Sequence, residues 1–70
     1  MNIYALNLML DQNHCSNKKL ADSLGISRSS LYRKMSGQTE FTCNEIGIIR
    51  RLLRLTDQAL VEIFFRLPPS

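Results

Sequence analysis

A glycine between two short apolar runs is the feature that most constrains how this chain folds. Residues 20–31 read Leu-Ala-Asp-Ser-Leu-Gly-Ile-Ser-Arg-Ser-Ser-Leu. Ala21 is small enough to let two crossing helices approach, and Gly25 supplies the positive φ that a tight turn between them requires. Ser27 follows at the place where its hydroxyl can cap the helix after the turn, the third helix of the chain. The pattern predicts a helix-turn-helix over about residues 17–35.

Helical spacing also governs the start of the chain. Leu6, Met9 and Leu10 fall on one face of a predicted first helix over about residues 2–13. Within the helix-turn-helix, Leu31 is expected to bury the inner side of the third helix. No stretch alternates between apolar and polar residues as a half-buried strand would.

Two further helices follow the helix-turn-helix. Thr42 and Glu45 form a capping box at the start of a fourth helix. Thr56 caps a fifth, and Pro68-Pro69 is expected to end it. Gly47 inside the fourth helix is expected to mark a close contact between helices. Seventy residues supply one core only, so we expect a single all-α domain over residues 1–70, a compact bundle of about five short helices.

Positive charge is concentrated in one segment. The net charge is +3, but residues 16–38 carry five cations and one acid, whereas residues 39–70 carry four of each. Such a local excess is the electrostatic footprint of a nucleic-acid partner, although a solvated basic face would give the same composition.

The corner at residues 20–31, taken with residues 41–46, 52–53 and 60–65, resembles the lambda-type repressor and Cro (XRE-like) helix-turn-helix family, and small phage-encoded members in particular. The resemblance extends over about residues 6–65. It implies a lambda repressor-like DNA-binding domain that regulates transcription, with the third helix in the major groove of a double-stranded operator. At the position closing the fourth helix, relatives usually have Gly where this chain has Arg54, so we expect a strained or differently shaped corner there.

The resemblance also implies which side chains meet DNA. The exposed positions of the third helix would face base edges: an arginine can grip guanine with two hydrogen bonds, a serine can bond several bases, and a tyrosine can touch a thymine methyl or a phosphate. The predicted base-contacting residues are Ser27, Arg28, Ser29, Tyr32 and Arg33. Free amides and cations flank this helix, and the predicted phosphate contacts are Asn17, Lys18, Lys34, Ser36, Gln38 and Thr39.

A single short recognition helix contacts only a few base pairs, so we expect a homodimer on the operator. Apolar residues left over once the core is assigned are Ile48, Val61 and Phe65. They are the candidate dimer surface, although isolated exposed apolar residues are equally common.

The cysteines and the histidine do not indicate a metal site or a catalytic site. Cys15 and Cys43 each lie in a stretch predicted to be buried, so both are expected to be core residues in a reducing cytosol. Together with His14 they match no usual zinc spacing, and we expect no metal or cofactor. The chain has no paired carboxylates, glycine-rich phosphate loop or nucleophile-base set, so no enzyme is expected.

The first eleven residues lack a basic region and a long apolar run, so neither a signal peptide nor a membrane span is predicted. We expect the protein in the cytoplasm of a bacterial host. Two alternatives to operator binding remain open: a phage modulator or antirepressor that binds a partner repressor, indicated by the apolar first helix and the Phe64-Phe65 pair, and a DNA-binding antitoxin of the same fold.

Overall fold

The computed structural model describes residues 1–65, and within that range it contains five α-helices and no strand. The helices are α1 (Ile3–Gln12), α2 (Asn17–Leu24), α3 (Arg28–Met35), α4 (Cys43–Leu53) and α5 (Asp57–Phe64). The predicted all-α class is confirmed, and α2 and α3 both lie within residues 17–35, the range predicted for the helix-turn-helix. Pro68-Pro69, predicted to end α5, lies outside the described residues.

Each of these helices is capped at its N-terminal end by a side chain, which accepts a hydrogen bond from a backbone amide that has no partner within the helix. The capping oxygen accepts from the amide three residues further on, at 3.0–3.1 Å, which satisfies one of the donors that a helix start leaves free. The capping residues are Asn2, Ser16, Ser27, Thr42 and Thr56. The capping box predicted at Thr42 and Glu45 is present in full.

The corner between α2 and α3 has the geometry that its sequence requires. Gly25 closes α2 in the left-handed region, with φ +69°, and its amide donates to the carbonyl of Ala21. Ala21 and Leu31 are almost wholly buried, while Ile26 is half-buried against the same core. These side chains, which pack against the core, therefore hold α2 and α3 in their relative orientation.

The core forms where the helices pack together: α2 contacts both α3 and α4, and α1 contacts α5. Its fully buried side chains come from all of these helices and are Leu6, Leu20, Leu31, Ile49, Leu53 and Ile63. Because one side of α3 packs against this core, its opposite side faces outward.

Arg54 closes α4 in the left-handed region, with φ +53°. The predicted strain at this corner is therefore present, since a residue with a Cβ adopts this conformation at a cost of about 1 kcal/mol or more. The amide of the next residue, Leu55, donates to the carbonyl of Arg50 at 3.0 Å, so the turn is held by backbone hydrogen bonds.

Two sequence predictions about packing are wrong. Cys43 is exposed, because it occupies the first turn of α4 on the side away from the core; Cys15 is buried, as predicted. Gly47 does not mark a close helix contact, since a Cβ built there meets no atom within 4 Å. The helical spacing of Ile49 and Leu53, the buried apolar residues of α4, places Gly47 on the opposite side of the helix.

The open space at Gly47 gives a testable consequence for stability. Gly47→Ala is expected to raise the free energy of unfolding by about 0.5–1 kcal/mol, because alanine restricts the unfolded chain and fits the helical backbone without a clash. The melting temperature should rise by about 2–8 °C, measured by circular dichroism. Gly25→Ala is the matched control and should destabilise, because its φ of +69° strains any residue with a Cβ. A lower melting temperature for Gly47→Ala would contradict the prediction.

Among residues 1–65, none of the helices combines the length and the apolar character needed to cross a membrane.

Candidate nucleic-acid interface

The outward side of α3 presents a compact set of polar and cationic side chains. Arg28 and Tyr32 are one helical turn apart, as are Ser29 and Arg33, so the two pairs form neighbouring rows opposite the buried Leu31. These four residues are exposed, and Tyr32 exposes 69% of its surface. We call them the outer face of α3. The structure thus brings together the residues predicted to contact bases.

The start of α3 adds Ser27 to this surface. Its hydroxyl oxygen accepts from the amide of Ser30 at 3.0 Å and is solvent-exposed. A hydroxyl that accepts one hydrogen bond can still donate its own hydrogen. On the same helix, the guanidinium of Arg33 contacts the Ser30 hydroxyl at 3.3 Å, an exposed contact that a stronger acceptor can displace.

The first turn of α2 lies beside the outer face of α3. A shallow depression of about 170 Å³ is lined by Asn17 of α2 together with Arg28, Tyr32 and two apolar residues of α3. Asn17 is the first residue of α2, where the first backbone amides have no partner within the helix. Lys18 is exposed and pairs with Asp22 at 3.1 Å, a contact between two well-hydrated groups.

The other flank is the loop that follows α3. Ser36, Gln38 and Thr39 are exposed, as their predicted role requires. The loop is tied to the helix by backbone bonds, since the amides of Gln38 and Thr39 both donate to the carbonyl of Arg33, at 2.9 and 3.3 Å. The Ser36 hydroxyl donates to the same carbonyl at 3.1 Å.

Lys34, a further predicted phosphate contact, forms an ion pair that is largely buried. Its ammonium nitrogen lies 2.9 Å from a carboxylate oxygen of Glu45 and 3.1 Å from the carbonyl oxygen of Glu40. The two paired side chains are only 15% and 11% exposed. The charge of Lys34 is thus largely neutralised inside the fold. The sequence does not indicate this ion pair, because Glu45 lies eleven positions further along the chain.

The carboxyl of Glu45 is held ionised by its surroundings. Burial raises its pKa, but the backbone amide of Thr42 and the hydrogen bond and charge of Lys34 lower the pKa by more, so it lies below the usual value. In the sequence, Glu45 is recognisable only as a capping residue. Its second partner on α3 carried no sequence signal.

The comparisons with known proteins bear on this surface. A family model described as the Mga helix-turn-helix domain matches residues 1–41, which include α1, α2, α3 and the loop that begins after α3. The chain belongs to the Mga helix-turn-helix domain family.

Membership in that family confirms the predicted helix-turn-helix and indicates a DNA-binding domain, since such domains present a helix to the major groove and are binding modules rather than enzymes. The family is a different one from the lambda-type repressor and Cro group that the sequence resembles. No curated protein and no solved structure matches the chain.

Apolar residues also remain exposed away from the outer face of α3. Val61 on α5 and Phe65, the residue directly after α5, are exposed, whereas Ile48, the third residue of the predicted dimer surface, is half-buried. Tyr4 and Leu8 form a second exposed pair, one turn apart on α1. These two are not among the predicted site residues, although helical spacing places both opposite the buried Leu6 and Leu10.

Within residues 1–65, no three His, Cys, Asp or Glu side chains are grouped so that they could hold a metal ion. Cys15 is buried and its thiol contacts the carbonyl of Ser16 at 3.7 Å, while Cys43 is exposed on α4.

Proposed function

We propose that this protein is a sequence-specific transcriptional regulator that binds double-stranded DNA through α3, in the manner of a small phage repressor or Cro protein. The observation that carries the proposal is the exposed outer face of α3, which a glycine corner and the buried Leu31 hold at the edge of the globule. A helix presented in this way fits the major groove, which is wide enough to admit it.

The chemistry of the outer face suits base edges. Arg28 and Arg33 are exposed guanidinium groups, each able to donate two hydrogen bonds to the O6 and N7 atoms of guanine. Ser27 and Ser29 offer hydroxyls to several bases, and the ring of Tyr32 can contact a thymine methyl.

Phosphates on either side would fix the position of α3. On the α2 side the proposed contacts are Asn17 and Lys18, and on the loop side they are Ser36, Gln38 and Thr39. We leave out Lys34, because its ammonium is already paired with Glu45.

A dimer would double the number of base pairs contacted, and we propose that two copies bind the halves of a palindromic operator. The exposed apolar residues Val61 on α5 and Phe65 directly after it support pairing at that helix more than the half-buried Ile48 does. A palindrome in the selected site, with half-sites about one helical turn apart, is the expected result.

Selection of bound sequences from random duplex DNA tests the proposal and supplies the site for further measurement. For that site, Arg28→Ala and Arg33→Ala are each expected to lower affinity by about tenfold to a hundredfold, the loss associated with a bidentate base contact. Arg51→Ala is the matched control, because it removes one exposed positive charge from α4, outside the helix-turn-helix. An unenriched pool, or equal affinity for all these variants, would overturn the proposal.

Salt dependence gives an independent measure of the phosphate contacts. Four exposed cations remain in the charged segment once Lys34 is set aside: Lys18, Lys19, Arg28 and Arg33. If all touched phosphates, the slope of log affinity against log salt would approach about −3.6 for one subunit and about twice that for a dimer. A slope near zero is incompatible with DNA binding through this face.

A second candidate function is modulation of a partner repressor. The exposed pair Tyr4 and Leu8 on α1 favours it, since large apolar residues one turn apart form an anchor for another protein. Capture of a purified neighbouring repressor, lost in Leu8→Ser, combined with no shift of any duplex, would favour this function over DNA binding. A DNA-binding antitoxin would instead behave as the first proposal predicts and bind a toxin as well.

A further inference from the structure

We propose that the ion pair between Lys34 and Glu45 is a positioning link that sets the orientation of α3 for sequence-specific binding. This inference rests on the proposed function, because it concerns how α3 meets a particular DNA site. Lys34 and Glu45 would act without touching DNA, through the position that they impose on Tyr32 and Arg33.

The link gathers three groups around one ammonium near the end of α3. Lys34 contacts Glu45 at 2.9 Å and the carbonyl of Glu40 at 3.1 Å, and its nitrogen lies 5.9 Å from the centre of the Phe41 ring. All three partners lie beyond the C-terminal end of α3. The last turn of α3 is therefore tied to the loop and helix that follow it.

The Glu45 end of the link is held in place by the start of α4. Glu45 accepts from the backbone amide of Thr42 at 2.9 Å while its own amide donates to the Thr42 hydroxyl at 3.1 Å, so its position is fixed by the start of α4. Helix α4 is anchored in turn by Ile49 and Leu53, which are fully buried. The ring of Phe41 packs edge-on against Phe64 of α5, with centres 5.9 Å apart.

The C-terminal end of α3, where Lys34 lies, needs this support. Leu31 is the one residue of α3 that is fully buried, and it lies in the middle of the helix. Toward the C-terminal end Met35 is half-buried and the outward residues are exposed, so packing alone leaves this end less constrained. Base contacts require side chains to be placed within about 0.5 Å. A link at Lys34, directly beside Arg33, supplies that constraint.

The link also crosses the limit of the family match. Residues 1–41 match the Mga helix-turn-helix domain, whereas Glu45 lies after that segment, on α4. The inference thus assigns α4 a part in DNA recognition that the matched segment does not include.

The test uses two near-isosteric variants and their combination. Lys34→Met removes the charge and keeps the length of the side chain, and Glu45→Gln keeps an oxygen that can accept from the Thr42 amide. Each is expected to lower affinity for the selected site by roughly threefold to thirtyfold, with affinity for an unrelated duplex unchanged. The double variant should bind no more weakly than the weaker single variant, because both remove one link.

A direct phosphate contact by Lys34 predicts a different pattern. Lys34→Met would then weaken binding to the selected and the unrelated duplex alike, also in the Glu45→Gln background, and would make the salt slope shallower by about one. Glu45→Gln would leave binding unchanged. That pattern would overturn the inference.

Amide hydrogen exchange by NMR, on the full chain without DNA, separates this inference from the proposed function. The amides of Ser36, Gln38 and Thr39, which donate to α3 carbonyls, should exchange faster in both single variants, while the amides of α2 stay protected. Unchanged exchange at these three amides would overturn the link. A wild-type protein that shifts no duplex would overturn the proposed function, whatever the exchange shows.

Discussion

Leu31→Ala is expected to lower the free energy of unfolding by about 3–5 kcal/mol, the largest effect of any single substitution considered for this protein. Leu31 is 2% exposed and joins α3 to the core that α2 and α4 share. Its removal leaves a cavity at the junction of these helices, and partial collapse recovers only part of the lost contacts.

The size of that loss matters because the domain is small. A chain of this length is expected to have a total stability of about 4–10 kcal/mol, so the variant would lose between about a third and all of it. Urea denaturation followed by circular dichroism should show a lower midpoint with an unchanged slope, since the surface exposed on unfolding is nearly the same. Apparent operator affinity should scale with the fraction of the variant that is folded.

Leu8→Ala is the matched control, because it makes the same chemical change at a side chain that is 56% exposed on α1. Its effect should stay within about 0.5 kcal/mol. If the two leucines had similar effects, Leu31 would not be the anchor that holds the helix-turn-helix to the core.

The parts of the fold that sequence predicts well are those set by local chemistry. Ser27 must cap a helix because its hydroxyl reaches the amides that follow, and Gly25 must end one because its φ of +69° excludes most other residues. The rule that relatives have Gly at the end of α4 identified a real left-handed position at Arg54, even though the residue there is an arginine.

Sequence predicts less well where two residues far apart decide the outcome. The exposure of Arg28 and Tyr32 follows from helical spacing opposite Leu31, so it was predictable. The pairing of Lys34 with Glu45 was not, because it depends on how the loop after α3 folds back. Lys34 has the same charge as the exposed cations near it, and its charge and its position in the helix-turn-helix led to the prediction of a phosphate contact.

Glu45→Ala is expected to have the second largest effect, a loss of about 3 kcal/mol, the lower end of the range for a buried ion pair that loses one partner. The substitution removes the acceptor for the Thr42 amide and leaves the Lys34 ammonium, only 15% exposed, without its counter-charge. Asp22→Ala is the control, since it breaks a pair whose side chains are about two-thirds exposed, and should cost about 0.5 kcal/mol.

The same carboxyl predicts how stability depends on pH. Because the pKa of Glu45 is lower in the folded state than its usual value of about 4.5, the folded state favours the ionised form. Its contribution is complete above the unfolded pKa and is lost as the pH falls through the folded pKa. The difference in unfolding free energy between the wild type and Glu45→Gln should therefore be constant from pH 7 to about pH 6 and shrink below about pH 5. A difference that stayed constant down to pH 3, or grew as the pH fell, would show that the carboxylate is not stabilised by Lys34 and the Thr42 amide.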